Sequence, residues 1–169
     1  GDTFVIPKPD IKAEGARIMS LDDPTKKMSK SNPNQASYIA LSDDPDTIRR
    51  KIKRAVTDSG SEIISSPDKP ALANLISIYA ILADMTPAEV EAHFVGKGYG
   101  AFKTELGDIV VDAIRPIQER LAELEAEPDI AISVLTEGAA KASALAARKM
   151  AVVRDRMGIG TPRSYGHRR

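Results

Sequence analysis

The chain has no cysteine and only two histidines among its 169 residues. Without cysteine there is no disulfide, no thiolate zinc site and no cysteine nucleophile. His93 and His167 leave little material for a histidine metal centre, so no metal site is expected. No uninterrupted apolar run approaches the ~20 residues that cross a bilayer. The opening Gly1-Asp2-Thr3, soon followed by Lys8 and Asp10, is not a signal peptide. An excess of one charge is also missing, since 24 Lys+Arg face 24 Asp+Glu. Such a balance can still conceal a local basic patch. Together these absences point to a soluble, reducing, cytoplasmic setting with no membrane partner.

What is present is ordinary for one globular domain: 169 residues, 42% of them hydrophobic. The start is less ordinary. There is no initiator Met, and a β-like Thr3-Phe4-Val5-Ile6-Pro7 finds almost no partner strand in the rest of the sequence. The chain reads as a piece of something larger.

Residues 1–42 are irregular, punctuated by Pro7, Pro9, Pro24 and Pro33. Within them Phe4–Ile6, Ile18–Met19 and Tyr38–Leu41 read as short strands or packed loop segments. After Ser42 the pattern turns helical. Asp43-Asp44-Pro45 is a helix start, followed by Ile48, Ile52 and Val56 at four-residue spacing. A second helix is predicted from about Pro70 to Asp84, with Leu72, Leu75, Ile76, Tyr79 and Leu82 on one face. Thr86-Pro87-Ala88-Glu89 is a capping box that opens a short helix to about Phe94. Past the break at Gly96-Lys97-Gly98-Tyr99-Gly100, a long helix runs from about Phe102 to Ala126, with Leu106, Ile109, Val110, Ile114, Ile117, Leu121 and Leu124 as its stripe. Pro116 should kink it. A last helix runs from about Asp129 to Met157, and its alanine-rich middle predicts close approach to a neighbouring helix. The fold class is therefore mainly α. Three parts are expected: residues 1–42 leaning on a further domain, a helical bundle over 43–158, and a flexible basic tail over 159–169.

The stretch richest in chemistry is Lys26-Lys27-Met28-Ser29-Lys30-Ser31, with three lysines and two serines in six residues after a Pro24 turn. A loop of this kind, held at both ends, can bring ammonium groups, hydroxyls and backbone amides to one anion. Lysine suits a phosphate that moves during reaction, being a flexible point charge with three donors. Phosphoryl and nucleotidyl transfer need that charge on the leaving group's oxygens. A solvated loop without duty is the competing reading from composition alone.

The string Lys27-Met28-Ser29-Lys30-Ser31 resembles the KMSKS signature of class I aminoacyl-tRNA synthetases. Its surroundings, Gly15 to Leu21 and Asp23-Pro24-Thr25-Lys26, resemble the tryptophanyl-tRNA synthetase branch. So do Lys51 to Ser59, Gly96 to Gly100, Arg115-Pro116-Ile117-Gln118-Glu119-Arg120 and Gly138 to Ala142, and the likeness runs over residues 1 to 158. The resemblance implies a KMSKS loop at the edge of a Rossmann domain, followed by a C-terminal helical anticodon-binding domain. It implies ATP, as its Mg2+ complex, as a substrate, with no bound prosthetic group. Lys27 and Lys30 would be catalytic, stabilising pyrophosphate as the tryptophan carboxylate attacks the α-phosphate. Ser29 and Ser31 would give hydroxyl or amide contacts to ATP, and Ile18 and Met28 would lie beside the adenosine. Tryptophan would then pass to its tRNA, in an enzyme that is a homodimer at full length. One departure is Asn32, where an acidic residue often follows the motif. No HIGH-like string occurs, so the tryptophan pocket and much of the ATP site are expected to be absent, and the fragment alone to be inactive.

Arg49, Arg50, Lys51, Lys53 and Arg54 are candidate tRNA-phosphate contacts, or equally the wet face of a helix. Gly96 to Gly100 reads as a helix connector, because the Gly-x-Gly-x-x-Gly spacing fails at Lys103. Tyr79 and Phe94 read as core, His93 as structural or exposed, and the acids of 122–127 as a solvated face. The alternatives to the ligase reading are a stand-alone helical RNA-binding module derived from such an enzyme, and a non-catalytic helical interaction protein.

Overall fold

The computed structural model describes residues 2–11, 15 and 17–159; the basic tail with His167 falls outside them. The chain is mainly helical, as the periodicity predicts. Among the described residues, five helices follow a 3-10 turn at Gln35–Ser37: α1 (Pro45–Arg54), α2 (Pro70–Ala83), α3 (Pro87–His93), α4 (Tyr99–Ala126) and α5 (Pro128–Met157). Among the described residues the strand-like segments form no ladder; the nearest thing to one is an isolated bridge between Met19 and Lys27.

Local chemistry sets the helix ends. The Asp44 carboxylate accepts the Thr47 N–H at 2.8 Å and Pro45 opens α1, so two of the requirements of an N-terminus are met by adjacent residues. Thr86 and Glu89 form the reciprocal capping box of α3. Between α2 and α3 the chain bends by 98°, and Asp84 adopts a left-handed conformation (φ 54) to close α2. Gly96 (φ 76) lies in the connector before α4, which begins three residues ahead of the expected Phe102. Helix α4 runs through Pro116 as one element.

The described residues gather into two compact units, one of residues 10–122 and one of residues 2–9 with 123–159. This grouping differs from the expected boundary at residue 43. Leu21 is buried in the same core as α1 to α4, and its carbonyl accepts the Val56 N–H at 2.8 Å. The segment before α1 is thereby part of the helical core.

That core is built on Ile48 and Ile52 of α1, Leu72, Leu75 and Ile76 of α2, Val90 of α3, and Phe102, Leu106 and Val110 of α4. At its centre the Phe94 ring meets Tyr79 and Phe102 edge-on, at 5.4 and 5.1 Å between centroids. Both Tyr79 and Phe94 are core, as expected. Helix α1 crosses α4 closely at Gly107, where a Cβ would stand 3.4 Å from the Arg49 Cα. Of the inward assignments on α1 and α2, two are corrected. Val56 lies beyond the end of α1 and is half-exposed, and Ala55 takes the buried place; Leu82, near the end of α2, is also half-exposed.

In the other unit, no residue of α5 is buried. Leu135 and Leu145 are 71% and 72% exposed. Residues 3–7 form no strand; the Thr3 carbonyl accepts the Lys149 ammonium at 2.9 Å, and its hydroxyl accepts Arg156 at 2.7 Å. An 18-residue window of α5 has a mean hydropathy of 1.3 with Glu137 and Lys141 paired on it, so length and composition alone would let this helix cross a membrane.

Candidate functional site

The lysine-rich loop is built on a short two-stranded stem. The Ser20 N–H donates to the Lys26 carbonyl at 2.8 Å, and the Met28 N–H to the Ile18 carbonyl at 3.0 Å. At the tip, Asp23-Pro24-Thr25-Lys26 is a β-turn closed by the Lys26 N–H on the Asp23 carbonyl at 3.1 Å. Pro24 presets its second position. The Asp23 carboxylate accepts the Thr25 hydroxyl at 2.6 Å and pairs with the Lys26 ammonium at 3.0 Å. The Thr25 hydroxyl first, then Lys26, hold the Asp23 carboxyl down at about 2.

This arrangement sorts the three lysines. Lys26 is neutralised by Asp23, whereas Lys27 and Lys30 are exposed and have no ion pair among the described residues. The signature's two lysines therefore present unspent charge to solvent. Ser29 starts a second turn, with the Asn32 N–H on its carbonyl at 3.2 Å and the Ser31 N–H on its hydroxyl at 3.3 Å. Asn34 then caps the 3-10 turn.

Both ends of the loop are tied down. The Asp22 carboxylate accepts the Ser20 hydroxyl at 2.5 Å on one oxygen and the Asn34 carboxamide at 2.6 Å on the other. The Ser20 hydrogen bond, aided by Asn34 and opposed by desolvation, lowers the Asp22 carboxyl below its ordinary value. Sequence reasoning missed Asp22 and Asn34. Their signal was there: Asp22 follows Ser20 by two residues, and Asn34 stands where a cap is needed before a turn.

Ile18 and Met28 turn toward the helices. Together with Leu21, Ile39, Ile78 and Ile114 they line an apolar cleft of about 370 Å3. Lys27, Ser29, Lys30 and Ser31 thus face water while Met28 packs against the core.

The α1 cations are dealt with differently. Ile48, Lys51 and Ile52 of α1, with its C-cap residue Ala55, form a buried stripe at i, i+3, i+4 and i+7 spacing. Lys51 is consequently buried. Its ammonium bonds Asp43 at 2.6 Å and lies 5.1 Å from the centroid of the Tyr38 ring. The expectation that it contacts phosphate is corrected on that ground. Arg49 is held by Asp108 at 2.7 Å, and Arg50 donates to the Thr47 hydroxyl at 2.8 Å. Lys53 and Arg54 remain exposed and without an ion pair among the described residues.

Three further polar networks brace this unit. The Tyr99 hydroxyl donates to the Asp58 carboxylate at 2.8 Å, beside Lys69, and lowers the Asp58 carboxyl from its ordinary value. Glu105 takes the Tyr79 hydroxyl at 2.6 Å and pairs with His93 at 2.9 Å, which makes His93 a surface strut. Burial, then the hydrogen bond to Glu105, pushes the Tyr79 phenol far up. Gln118 of the Arg115–Arg120 segment donates to the carbonyls of Leu41 and Asp43 at 2.7 and 2.8 Å, so that segment ties α4 to the approach to α1. No group of His, Asp and Glu among the described residues is arranged to hold a metal ion.

Comparison with known proteins agrees with the signature. Residues 4–114 match the family described as tRNA synthetases class I (W and Y). The chain is 48% identical over 163 residues to a tryptophan–tRNA ligase of Halalkalibacterium halodurans, covering 96% of this chain and 49% of that protein. It is 47% identical over 163 residues to that of Bacillus subtilis, with the same coverage. Among solved structures, tryptophanyl-tRNA synthetase from Mycoplasma pneumoniae superposes with a TM-score of 0.79 at 31% identity, over 88% of this chain and 45% of that one. The Campylobacter jejuni enzyme complexed with ADP and tryptophan gives 0.64 at 26% identity, over 92% and 48%. The chain thus spans about half the length of the curated relatives it matches. With the signature loop intact and the family match running from Phe4 through most of α4, this chain belongs to the class I tRNA synthetases of the tryptophan and tyrosine group.

Proposed function

We propose that the chain is the C-terminal portion of a tryptophan–tRNA ligase, supplying the lysine loop to ATP-dependent tryptophan activation and helices to the tRNA. The observation that carries this reading is the sorting of the loop lysines: Lys26 is spent on Asp23, while Lys27 and Lys30 stand free on a loop fixed at both ends. In the activation step the tryptophan carboxylate attacks the α-phosphorus of ATP. A new P–O bond forms as the bond to pyrophosphate breaks, and negative charge builds on the departing group. Lys27 and Lys30 meet that charge, and Ser29 and Ser31 add donors to the same phosphates. Ile18 and Met28 lie beside the adenosine. Mg2+ enters with ATP as part of the substrate.

The aminoacyl group then passes to tRNA. Lys53 and Arg54, with Arg50 beside them, are the α1 cations best placed to meet its phosphates, because Lys51 and Arg49 are committed to Asp43 and Asp108. The tryptophan pocket belongs to residues outside this chain, the full-length ligase acts as a homodimer, and its setting is the cytoplasm. Residues 1–42 serve activation and 43–158 serve the tRNA, although the two share one core through Leu21.

The test is tryptophan-dependent ATP–pyrophosphate exchange, measured on this chain and on a protein extending it to the relatives' length. Exchange only from the longer protein is the expected result. Robust exchange from the 169-residue chain alone would overturn it. In the longer protein, Lys30→Ala is expected to slow activation about a hundredfold while leaving tRNA affinity nearly unchanged. Equal losses in both would contradict the assigned role.

A further inference from the structure

The stem of the lysine loop has one edge that neither of its own arms satisfies. Ile18–Ser20 and Lys26–Met28 pair with each other through Ser20 and Met28, which leaves the N–H and C=O of Met19 pointing the other way. Both are taken by a single side chain from a distant helix. The Met19 N–H donates to Oδ1 of Asn74 at 2.8 Å, and Nδ2 of Asn74 donates to the Met19 carbonyl at 3.0 Å. Asn74 lies in the second turn of α2 and is 8% exposed. Its carboxamide does here what a third strand would do, offering one acceptor and one donor side by side to one residue of the stem.

The chemistry of the contact is selective. The two partners fix which way the amide faces, since only Oδ1 can accept from an N–H and only Nδ2 can donate to a carbonyl. An aspartate would keep the acceptor and lose the donor, setting a carboxylate against the Met19 carbonyl. A leucine would fill the space and strand both backbone groups, at the cost of their desolvation. A carboxamide buried this far is costly unless both its functions are used. They are.

We propose that Asn74 is the positioning residue of the lysine loop, fixing its stem to α2 so that Lys27 and Lys30 are held for the phosphates of ATP. This rests on the ligase reading for the phosphates, but the mechanical part stands apart from it. Met28 directly follows Lys27, and its N–H closes the same stem that Asn74 grips. Displacement of Met19 is therefore passed to the first signature lysine through two hydrogen bonds.

The test has two arms. In the first, amide hydrogen exchange is followed in this chain, unaltered and as Asn74→Asp and Asn74→Leu. The Met19 amide and the Asn74 carboxamide protons are expected to be protected in the unaltered chain. In the variants, Ser20 and Met28 should exchange about tenfold faster or more, with core amides such as Leu75 and Leu106 unchanged. Fast exchange of Met19 in the unaltered chain, or equal acceleration everywhere in the variants, would overturn the proposal, and the first of these needs no variant to fold. In the second arm, Asn74→Asp in the protein of full length should lower kcat for tryptophan activation about tenfold, leaving the KM for tryptophan unchanged. A loss confined to the KM for tryptophan, or no loss, would refute the positioning role. Absence of any activation from the unaltered full-length protein would instead refute the ligase reading, leaving the exchange result to decide on the grip itself.

Discussion

The unit of residues 10–122 and the helix α5 answer similar sequence patterns in opposite ways. In the first, the inward stripe of α1, α2 and the early part of α4 is buried, with Phe102, Leu106 and Leu72 fully covered. In α5 the predicted stripe of Leu135, Leu145 and Met150 lies open to solvent. The change can be followed along α4 itself. Val110 and Val111 are buried, whereas Ile117 and Leu121, on the same stripe, are half-exposed. Amphipathic spacing tells which face of a helix is apolar. It does not tell whether anything is packed there.

The largest expected contrast between the two regions is in core truncation. Phe102→Ala is expected to destabilise the 10–122 unit by about 3–5 kcal/mol, because its ring sits among Tyr79 and Phe94 and leaves a cavity they cannot fill. Urea unfolding followed by near-ultraviolet circular dichroism of the tyrosines measures it. A loss below about 1 kcal/mol would mean that the aromatic cluster is not the keystone described here.

A smaller effect separates cations of one helix. Lys51→Ala should cost about 2 kcal/mol, since the largely covered Asp43 carboxylate loses its cation and keeps only the Ala40 N–H, whereas Lys53→Ala should change stability by less than about 0.5 kcal/mol. If instead Lys53→Ala were the costlier, the division of α1 into a packed face and a free face would fail. The same pair of variants, assayed for tRNA binding in the longer protein, should show the reverse order.

The next effect depends on pH. The Tyr99 hydroxyl lowers the Asp58 carboxyl below its ordinary 3.8, so the stabilisation from this pair is complete above that value. It is lost as the pH falls through the lower folded-state value. Tyr99→Phe should therefore reduce the urea midpoint near neutrality, and the gap from the unaltered chain should close on the acid side of about pH 4. A gap that widens with acidification would assign the effect to another group. Smallest of all, Leu135→Ala on α5 should alter stability by no more than about 0.5 kcal/mol in this chain. A loss like that of Phe102→Ala would show that α5 has a covered face after all.

Much of the fold was legible because short-range chemistry sets it. The caps at Asp44 and Thr86, the breaks at Asp84 and Gly96, and the 3.6-residue repeats of α1 to α4 are each contained within a few residues. The loop signature was legible too, as a run of lysines and serines after a Pro turn. What the loop does with its charges was less so. Nothing in the string Lys26-Lys27 says that Asp23 spends the first lysine and leaves the second free. The burial of Lys51 could have been read from Ile48, Ile52 and Ala55, whose spacing puts residue 51 on the inner face. The density of positive charge around it outweighed that clue.

The sequence by itself determined the helices, their ends and the family, because each rests on neighbours in the chain or on a string of residues kept together. Only the tertiary structure decided that Leu21 shares a core with α1 to α4, that Asp22 and Asn34 clasp the loop, and that Asn74, 55 residues beyond Met19, grips its stem. Those contacts join residues far apart in sequence. A one-dimensional pattern carries each partner's chemistry, and only folding brings the partners within hydrogen-bond distance.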